Sequence, residues 1–227
     1  MERAKYIDMY KDFLLLVKKS RVGTVIPEEF TRVLNMAIEE VVTNKFSVLE
    51  MNKKSFDDLS PLRKAFKTQT MAVDTSESYT AYSCAINTTA GYRRIAAVSV
   101  NLSKTGQSLS NIKCHLLPTI EKTEVLNGYY SKPSIMKCYY IPFVDTSTQK
   151  LKIYVPSGFT TVTSNYDIYT NPTVATAANV TDANLQCQFG KEMSTQIVNV
   201  AARMYIEGNA DPRYQSFLHE QQNKINN

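Results

Sequence analysis

Tryptophan is absent from this 227-residue chain, glycine occurs only 7 times and histidine only 2 times. Each shortage excludes something. Scattered glycines leave no glycine-rich loop to cradle a phosphate, and no Gly-x-Ser-x-Gly nucleophile elbow occurs. Of the histidines, His115 sits beside Cys114 in an alternating segment, where neighbours point to opposite faces of a strand. The pair therefore reads as an exposed imidazole and a core thiol rather than as metal ligands, and His219 reads as a solvated or interface residue. Cys84, Cys114, Cys138 and Cys187 contain no Cys-x-x-Cys pair and are expected to be reduced, mostly buried thiols that pack like small hydrophobes.

Long apolar runs and a strong charge of one sign are also missing. The run Phe13 to Val17 falls far short of the roughly 20 residues that a membrane span needs. Asp8, Lys11 and Asp12 precede it, and no small-residue cleavage site follows. The expectation is no membrane partner and a product that stays in the cytoplasm where it is made. Lysine and arginine number 26 against 21 acids, a net charge of +5 with both signs interspersed. That balance implies at most a weak, salt-sensitive affinity for nucleic acid.

Chemistry-bearing constellations are correspondingly thin. Glu28-Glu29, Glu39-Glu40 and Asp57-Asp58 are adjacent pairs, which diverge on a helix, and they read as helix starts and solvated faces. Arg63, Lys64, Lys67, Arg93 and Arg94 are candidate phosphate contacts, with a solvated basic face as the simpler reading. No catalytic residue, metal or cofactor is expected, so the chain is read as a non-enzyme.

What the chain does have is three textures. Residues 1–68 read as a helical part. Tyr6, Tyr10, Phe13, Leu14 and Val17 recur at helical spacing, and a second helix starts at Pro27 with Glu28 and Glu29 in its first turn. Its apolar face runs Phe30, Val33, Leu34, Ala37, Ile38, Val41, Val42. A short third helical piece is expected from Leu59 through Phe66. Residues 69–185 read as a β-rich domain. Ile112/Cys114/Leu116, Met136/Cys138/Tyr140 and Leu151/Ile153/Val155 alternate with polar neighbours, and turn chemistry falls at Lys104-Thr105-Gly106, Asn127-Gly128, Pro156-Ser157-Gly158 and Asn171-Pro172. Thr173 to Asn184 reads as a connecting loop.

Residues 186–227 return to helix, with Phe189, Met193, Ile197, Val200 and Met204 expected on one face. The fold class is α+β: N- and C-terminal helices forming a bundle, with an antiparallel β sandwich or barrel inserted between them.

Tyrosine is in excess, at 14 residues, and offers large contact area with a polar handle. Tyr129, Tyr130, Tyr139, Tyr140, Tyr154, Tyr166 and Tyr169 fall near strands and suit either protein contact or an ordinary sheet. The last helix is capped by Asp211 and opened by Pro212, yet it carries few apolar anchors. Isolated helices below about 12–15 residues are marginal. Tyr214, Phe217, Leu218 and Ile225, with Arg213, are therefore the candidate interface residues toward a partner.

Two segments carry a resemblance. Val25-Ile26-Pro27-Glu28-Glu29-Phe30-Thr31-Arg32-Val33-Leu34-Asn35 is similar to an N-terminal helix start in virion proteins of crAss-like and related short-tailed phages. Val200-Ala201-Ala202-Arg203-Met204-Tyr205-Ile206-Glu207, followed by Asp211-Pro212-Arg213-Tyr214-Gln215 and on to Gln221, resembles their C-terminal signature. The chain departs from it at Gly208-Asn209-Ala210, between the two halves of that signature.

The resemblance implies a ring/adaptor protein of the head-to-tail connector, located in the virion. It would bind copies of itself in a cyclic ring, usually a dodecamer, together with the portal protein and adjacent ring or tail proteins, and phage DNA would pass transiently through the lumen. The rival readings are another phage structural component (a capsid accessory or tail-tube protein) and a nucleic-acid-binding module.

Overall fold

Helical and two-residue periods resolve into a mixed α+β architecture in a computed structural model, which describes residues 2–19, 25–49, 57–75, 79–86, 91–146 and 148–208. The chain divides into two units, Met1–Pro61 with Pro172–Asn227, and Leu62–Asn171. The texture of the sequence places those borders at 69 and 185 instead.

The first unit contains β1 (Arg3–Lys5), α1 (Tyr6–Lys19), α2 (Pro27–Ser47), α4 (Ala177–Thr181), β10 (Gln186–Gly190) and α5 (Lys191–Gly208), numbered along the whole chain. β1 pairs antiparallel with β10. Pro27 opens α2, where its missing N–H would have had no intrahelical partner, and Glu28 and Glu29 sit at the positive end of the helix dipole. α1 buries Tyr6, Met9, Phe13 and Val17 at spacings of three and four. α2 buries the whole expected face from Phe30 to Val42, with Thr31 in addition. Ring packing ties these faces together. Phe13 lies 4.9 Å from Phe30 and 5.6 Å from Tyr205 between centroids.

The buried face of α5 is turned from the expected one. Phe189 belongs to β10, and the buried residues of α5 are Met193, Ser194, Ile197, Val198, Ala201, Ala202 and Ile206, while Val200 and Met204 are only half-buried. Bulk apolar residues dominate a periodicity count, but side chains pack to crystal-like density, and small alanines are what let neighbouring backbones come close. On the same helix Arg203 pairs with Glu40 of α2 at 2.5 Å.

Two further corrections fall in this unit. The expected loop 173–184 contains α4, which is set by local capping rather than by apolar period: the Thr176 N–H donates to Asn179 Oδ1 at 2.6 Å. The Asp57-Asp58 pair is not simply solvated, because Asp58 is buried and takes Lys45 Nζ at 2.6 Å.

Asn35 reaches from α2 to the segment before α4 with both ends of its amide. Nδ2 donates to the Ala175 carbonyl at 2.9 Å, and Oδ1 accepts the Ala175 N–H at 2.8 Å. Replacing Asn35 with alanine strands both groups of a buried residue, so the expected cost is about 2 kcal/mol in a denaturation experiment. Asn35→Asp keeps one bond but sets a carboxylate oxygen against a carbonyl. It should not rescue the loss.

The second unit is a sheet of β2 (Arg63–Thr70), β3 (Ala72–Val73), β4 (Ala81–Ala85), β5 (Tyr92–Lys104), β6 (Gln107–Leu116), β7 (Cys138–Asp145), β8 (Thr148–Tyr154) and β9 (Thr161–Thr170), in the order β2-β9-β5-β6-β7-β8-β4-β3. The helical piece expected through Phe66 is instead strand from Arg63 onward, because Arg63 to Phe66 pair residue by residue with Tyr169 to Tyr166. Local helical tendency yields to that ladder.

The sheet is not wholly antiparallel as expected. β6 and β7 run parallel, joined by a crossover through a 3-10 turn (Thr119–Glu121) and α3 (Lys122–Asn127). Parallel neighbours need such a crossover, so Asn127-Gly128 ends a helix rather than turning a hairpin. The β5–β6 hairpin does turn at Gly106, at φ 76°. Met136 lies in a turn ahead of β7, which begins at Cys138.

β2 and β3 are opposite edges of the sheet, yet Met71 alone separates them in the chain. Thr70 pairs with Thr163 of β9, Ala72 pairs with Ser83 of β4, and the Met71 N–H donates to the Val162 carbonyl at 3.3 Å. The sheet therefore curls until both edges are consecutive pieces of one extended segment.

One core cluster includes Val98, Val100, Leu102, Cys114, Cys138, Tyr140, Leu151, Ile153, Tyr166 and Ile168. A second, smaller cluster joins Ala81, Leu117, Leu126, Tyr139 and Tyr154. Cys138-Tyr139-Tyr140 is buried without interruption because successive residues serve these two clusters.

Candidate interaction surface

Tyrosines near strands divide cleanly by burial. Tyr139, Tyr140, Tyr154, Tyr166 and Tyr169 are buried. Of these, Tyr139 donates its hydroxyl to the Ser131 carbonyl at 2.6 Å and Tyr166 to the Ala85 carbonyl at 3.4 Å. Tyr129 and Tyr130 are the opposite case, and Tyr130 is 94% exposed. They share the β6–β7 crossover with exposed Leu116, Ile120, Ile135 and Met136, of which Ile120 is 98% exposed. A concentration of large apolar side chains in one excursion marks a contact surface more than scattered exposure would.

The excursion is anchored from beneath. Leu117 and Leu126 sink into the smaller core cluster, and the Leu117 N–H donates to the Tyr140 carbonyl at 2.9 Å. Ser131 Oγ donates to the Val125 carbonyl at 2.8 Å, and Ser134 and Lys137 form an isolated bridge. Pinning the backbone on its inner side leaves the other side chains facing outward. Tyr129 and Tyr130 pack edge to face at 4.9 Å, with Lys132 Nζ 5.6 Å from the Tyr129 centroid. Sequence reasoning names the two tyrosines among seven, without separating them from the buried ones, and misses Ile120, Ile135 and Met136. The usable signal is large apolar residues set among Pro118, Gly128 and Pro133, where turn residues forbid a strand.

The basic residues are only partly gathered. Register places Arg63, Tyr169 and Arg94 side by side across β2, β9 and β5. Arg63 is engaged by Asp167, with Nε at 3.1 Å from the carboxylate. Burial pushes the Tyr169 phenol up, and the two flanking guanidinium groups oppose that shift. Lys67 lies beyond Phe66, where the β2–β9 register slips. Burial lowers the Arg93 guanidinium from its ordinary value.

His115 is exposed, 6.5 Å from the Tyr139 ring, while Cys114 is buried. Among the described residues no three of His, Cys, Asp and Glu form a group able to hold a metal ion, and no helix is long and apolar enough to cross a membrane. A cleft in the first unit is lined by Glu2, Arg3, Lys5, Asp8, Asp12 and Lys191, with both signs of charge. The terminal candidates Arg213, Tyr214, Phe217, Leu218 and Ile225, and also His219, lie outside the described residues.

No protein-family model matches the chain, and no curated protein matches it significantly.

Buried phenols and thiols supply a pH test of the fold. Burial raises Tyr6, Tyr92, Tyr140, Cys84 and Cys187 above their ordinary values of 10.0 for phenol and 9.0 for thiol. The folded state thus keeps protons that the unfolded chain releases. Their contribution is fully present below the unfolded values and is lost as pH rises toward the folded ones. The melting temperature should therefore hold until about pH 9 and then fall progressively toward about pH 11, with tyrosinate absorbance appearing on unfolding. A flat profile across that range would contradict the burial of these groups.

Proposed function

We propose that the chain is a non-enzymatic structural subunit of a phage virion: a ring/adaptor protein of the portal–tail connector that forms a channel for genome passage. The observation that carries the reading is the pair of resembling segments at residues 25–35 and 200–221. In this reading the terminal helices make a bundle, and the curled sheet is a barrel inserted between them. Copies join in a cyclic ring, a dodecamer, against the portal protein and neighbouring ring or tail proteins, with DNA crossing the lumen. The exposed apolar excursion 116–136 supports it, since a head-to-tail ring needs one patch that meets a different patch on the next copy. The C-terminal residues Tyr214, Phe217 and Leu218 are the second patch.

The test is mass and shape in solution, with and without portal protein. Complexes at multiples of 25.7 kDa, imaged as closed rings, are the expected result. A chain lacking residues 211–227 should keep its secondary structure and fail to enter rings or particles. A protein that stays monomeric even with portal, or a truncated chain that enters particles at normal copy number, would overturn the reading. Retention on DNA that falls steeply with salt, with no ring, would favour the nucleic-acid module instead.

A further inference from the structure

We propose that Cys114 and Cys138 form a redox-responsive pair that closes into a disulfide across the seam between β6 and β7. They are register partners in the parallel pair, and both side chains belong to the same core cluster, hence to the same face. Neighbouring strands lie about 4.8 Å apart, within the roughly 4.4–6.8 Å that a disulfide spans between Cα atoms. Each thiol rests with its S–H toward a backbone carbonyl 3.8 Å away, Cys114 toward Ile112 and Cys138 toward Ser134. Their proximity favours the thiolate at Cys138 and the protonated form at Cys114, so Cys138 is the sulfur assigned to the first attack. Cys84 sits instead against Ser164 Oγ at 3.7 Å, and Cys187 in the other unit against Tyr6 and Ser194.

The seam is also a short ladder within the sheet. It has three register pairs, Cys114–Cys138, His115–Tyr139 and Leu116–Tyr140, against ten between β5 and β9. A short ladder opens locally at low cost, which admits a small oxidant to buried sulfurs. With hydrogen peroxide, the Cys138 thiolate attacks one oxygen and breaks the O–O bond, and the departing hydroxide takes up a proton to become water. Cys114 then attacks the sulfenic sulfur, forms the S–S bond and releases the second water. Two thiols and one peroxide give one disulfide and two waters, with two electrons passing from sulfur to oxygen. The bond ties together the two ends of the excursion that bears Ile120, Tyr129, Tyr130 and Met136, so oxidation holds that surface on a closed base. This inference is independent of what the surface binds.

The experiment uses the full chain, treated with dilute hydrogen peroxide, alkylated, digested and mapped by mass. The expected product is a Cys114–Cys138 linked peptide, with Cys84 and Cys187 still alkylatable. A rise in melting temperature of roughly 5–10 °C should accompany it and be reversed by dithiothreitol. Cys114→Ser and Cys138→Ser should each lose both the peptide and the shift. Four free thiols after treatment, a link involving Cys84 or Cys187, or Cys138 recovered as sulfinic acid without a link would overturn the proposal. So would the same thermal rise in Cys114→Ser. Should the serine variants fail to fold, the peptide map of the unaltered chain decides alone.

Discussion

Replacing Tyr166 with alanine is expected to destabilise the sheet unit by about 3–5 kcal/mol, the range for emptying a buried aromatic site. Tyr166 is 1% exposed, in β9, with Phe66 opposite it on β2 and Val98 opposite it on β5. Its ring stacks on Phe66 at 5.1 Å and an interplanar angle of 21°. Truncation removes the transfer free energy of the ring and leaves a void that β2, β9 and β5 cannot close by sliding, because their ladders fix the spacing. A domain stability of about 5–15 kcal/mol leaves little margin for such a loss.

Two controls separate packing from other effects. Tyr166→Phe keeps the ring and removes the hydroxyl with its 3.4 Å contact to Ala85, for a cost of about 1 kcal/mol. Tyr130→Ala, in the exposed excursion, should change stability by no more than about 0.5 kcal/mol. Urea or thermal denaturation of the three variants is the measurement, and a Tyr166→Ala value as small as that of Tyr130→Ala would refute this account of the core.

Ile197→Ala and Ile38→Ala should each cost about 2–5 kcal/mol in the helical unit. Ile197 in α5 and Ile38 in α2 are 0% and 2% exposed. The informative comparison is Val200→Ala. Apolar spacing alone sets Val200 beside Ile197 on the buried face, yet it is only half-buried, so its loss should stay near 1 kcal/mol. Equal losses at Val200 and Ile197 would mean that α5 presents the face read from periodicity rather than the one lined by Ala201 and Ala202. Near-neutral effects at both isoleucines would mean that α2 and α5 do not contribute to a shared core.

Local signals account for the features that are legible in the sequence. Pro27 with two following acids marks a helix start because those residues suit unpaired N–H groups and the positive helix end, whatever lies elsewhere. Alternation at Ile112/Cys114 and Leu151/Ile153 marks strands because side chains on a pleated chain face opposite ways. Gly106 marks a hairpin because the turn needs a positive φ. Candidate site residues are less legible. Tyr129 and Tyr130 are indistinguishable in sequence from Tyr139 and Tyr140, since the same Tyr-Tyr dipeptide serves an exposed turn in one place and two core clusters in the other.

By itself, then, the sequence determined the two periods, the start of α2, the turn at Gly106 and the apolar face of α2, because each depends on residues within a few positions of one another. Tertiary structure alone decided that Arg63 to Phe66 are strand, since their partners lie in β9, about a hundred residues on. It decided that β6 and β7 run parallel, that Met71 joins the two edges of one curled sheet, and that Asp58 is buried against Lys45. It also set Cys114 beside Cys138. Each of these rests on a contact between distant segments, whose free energy outweighs the roughly 1 kcal/mol per residue that local preference contributes.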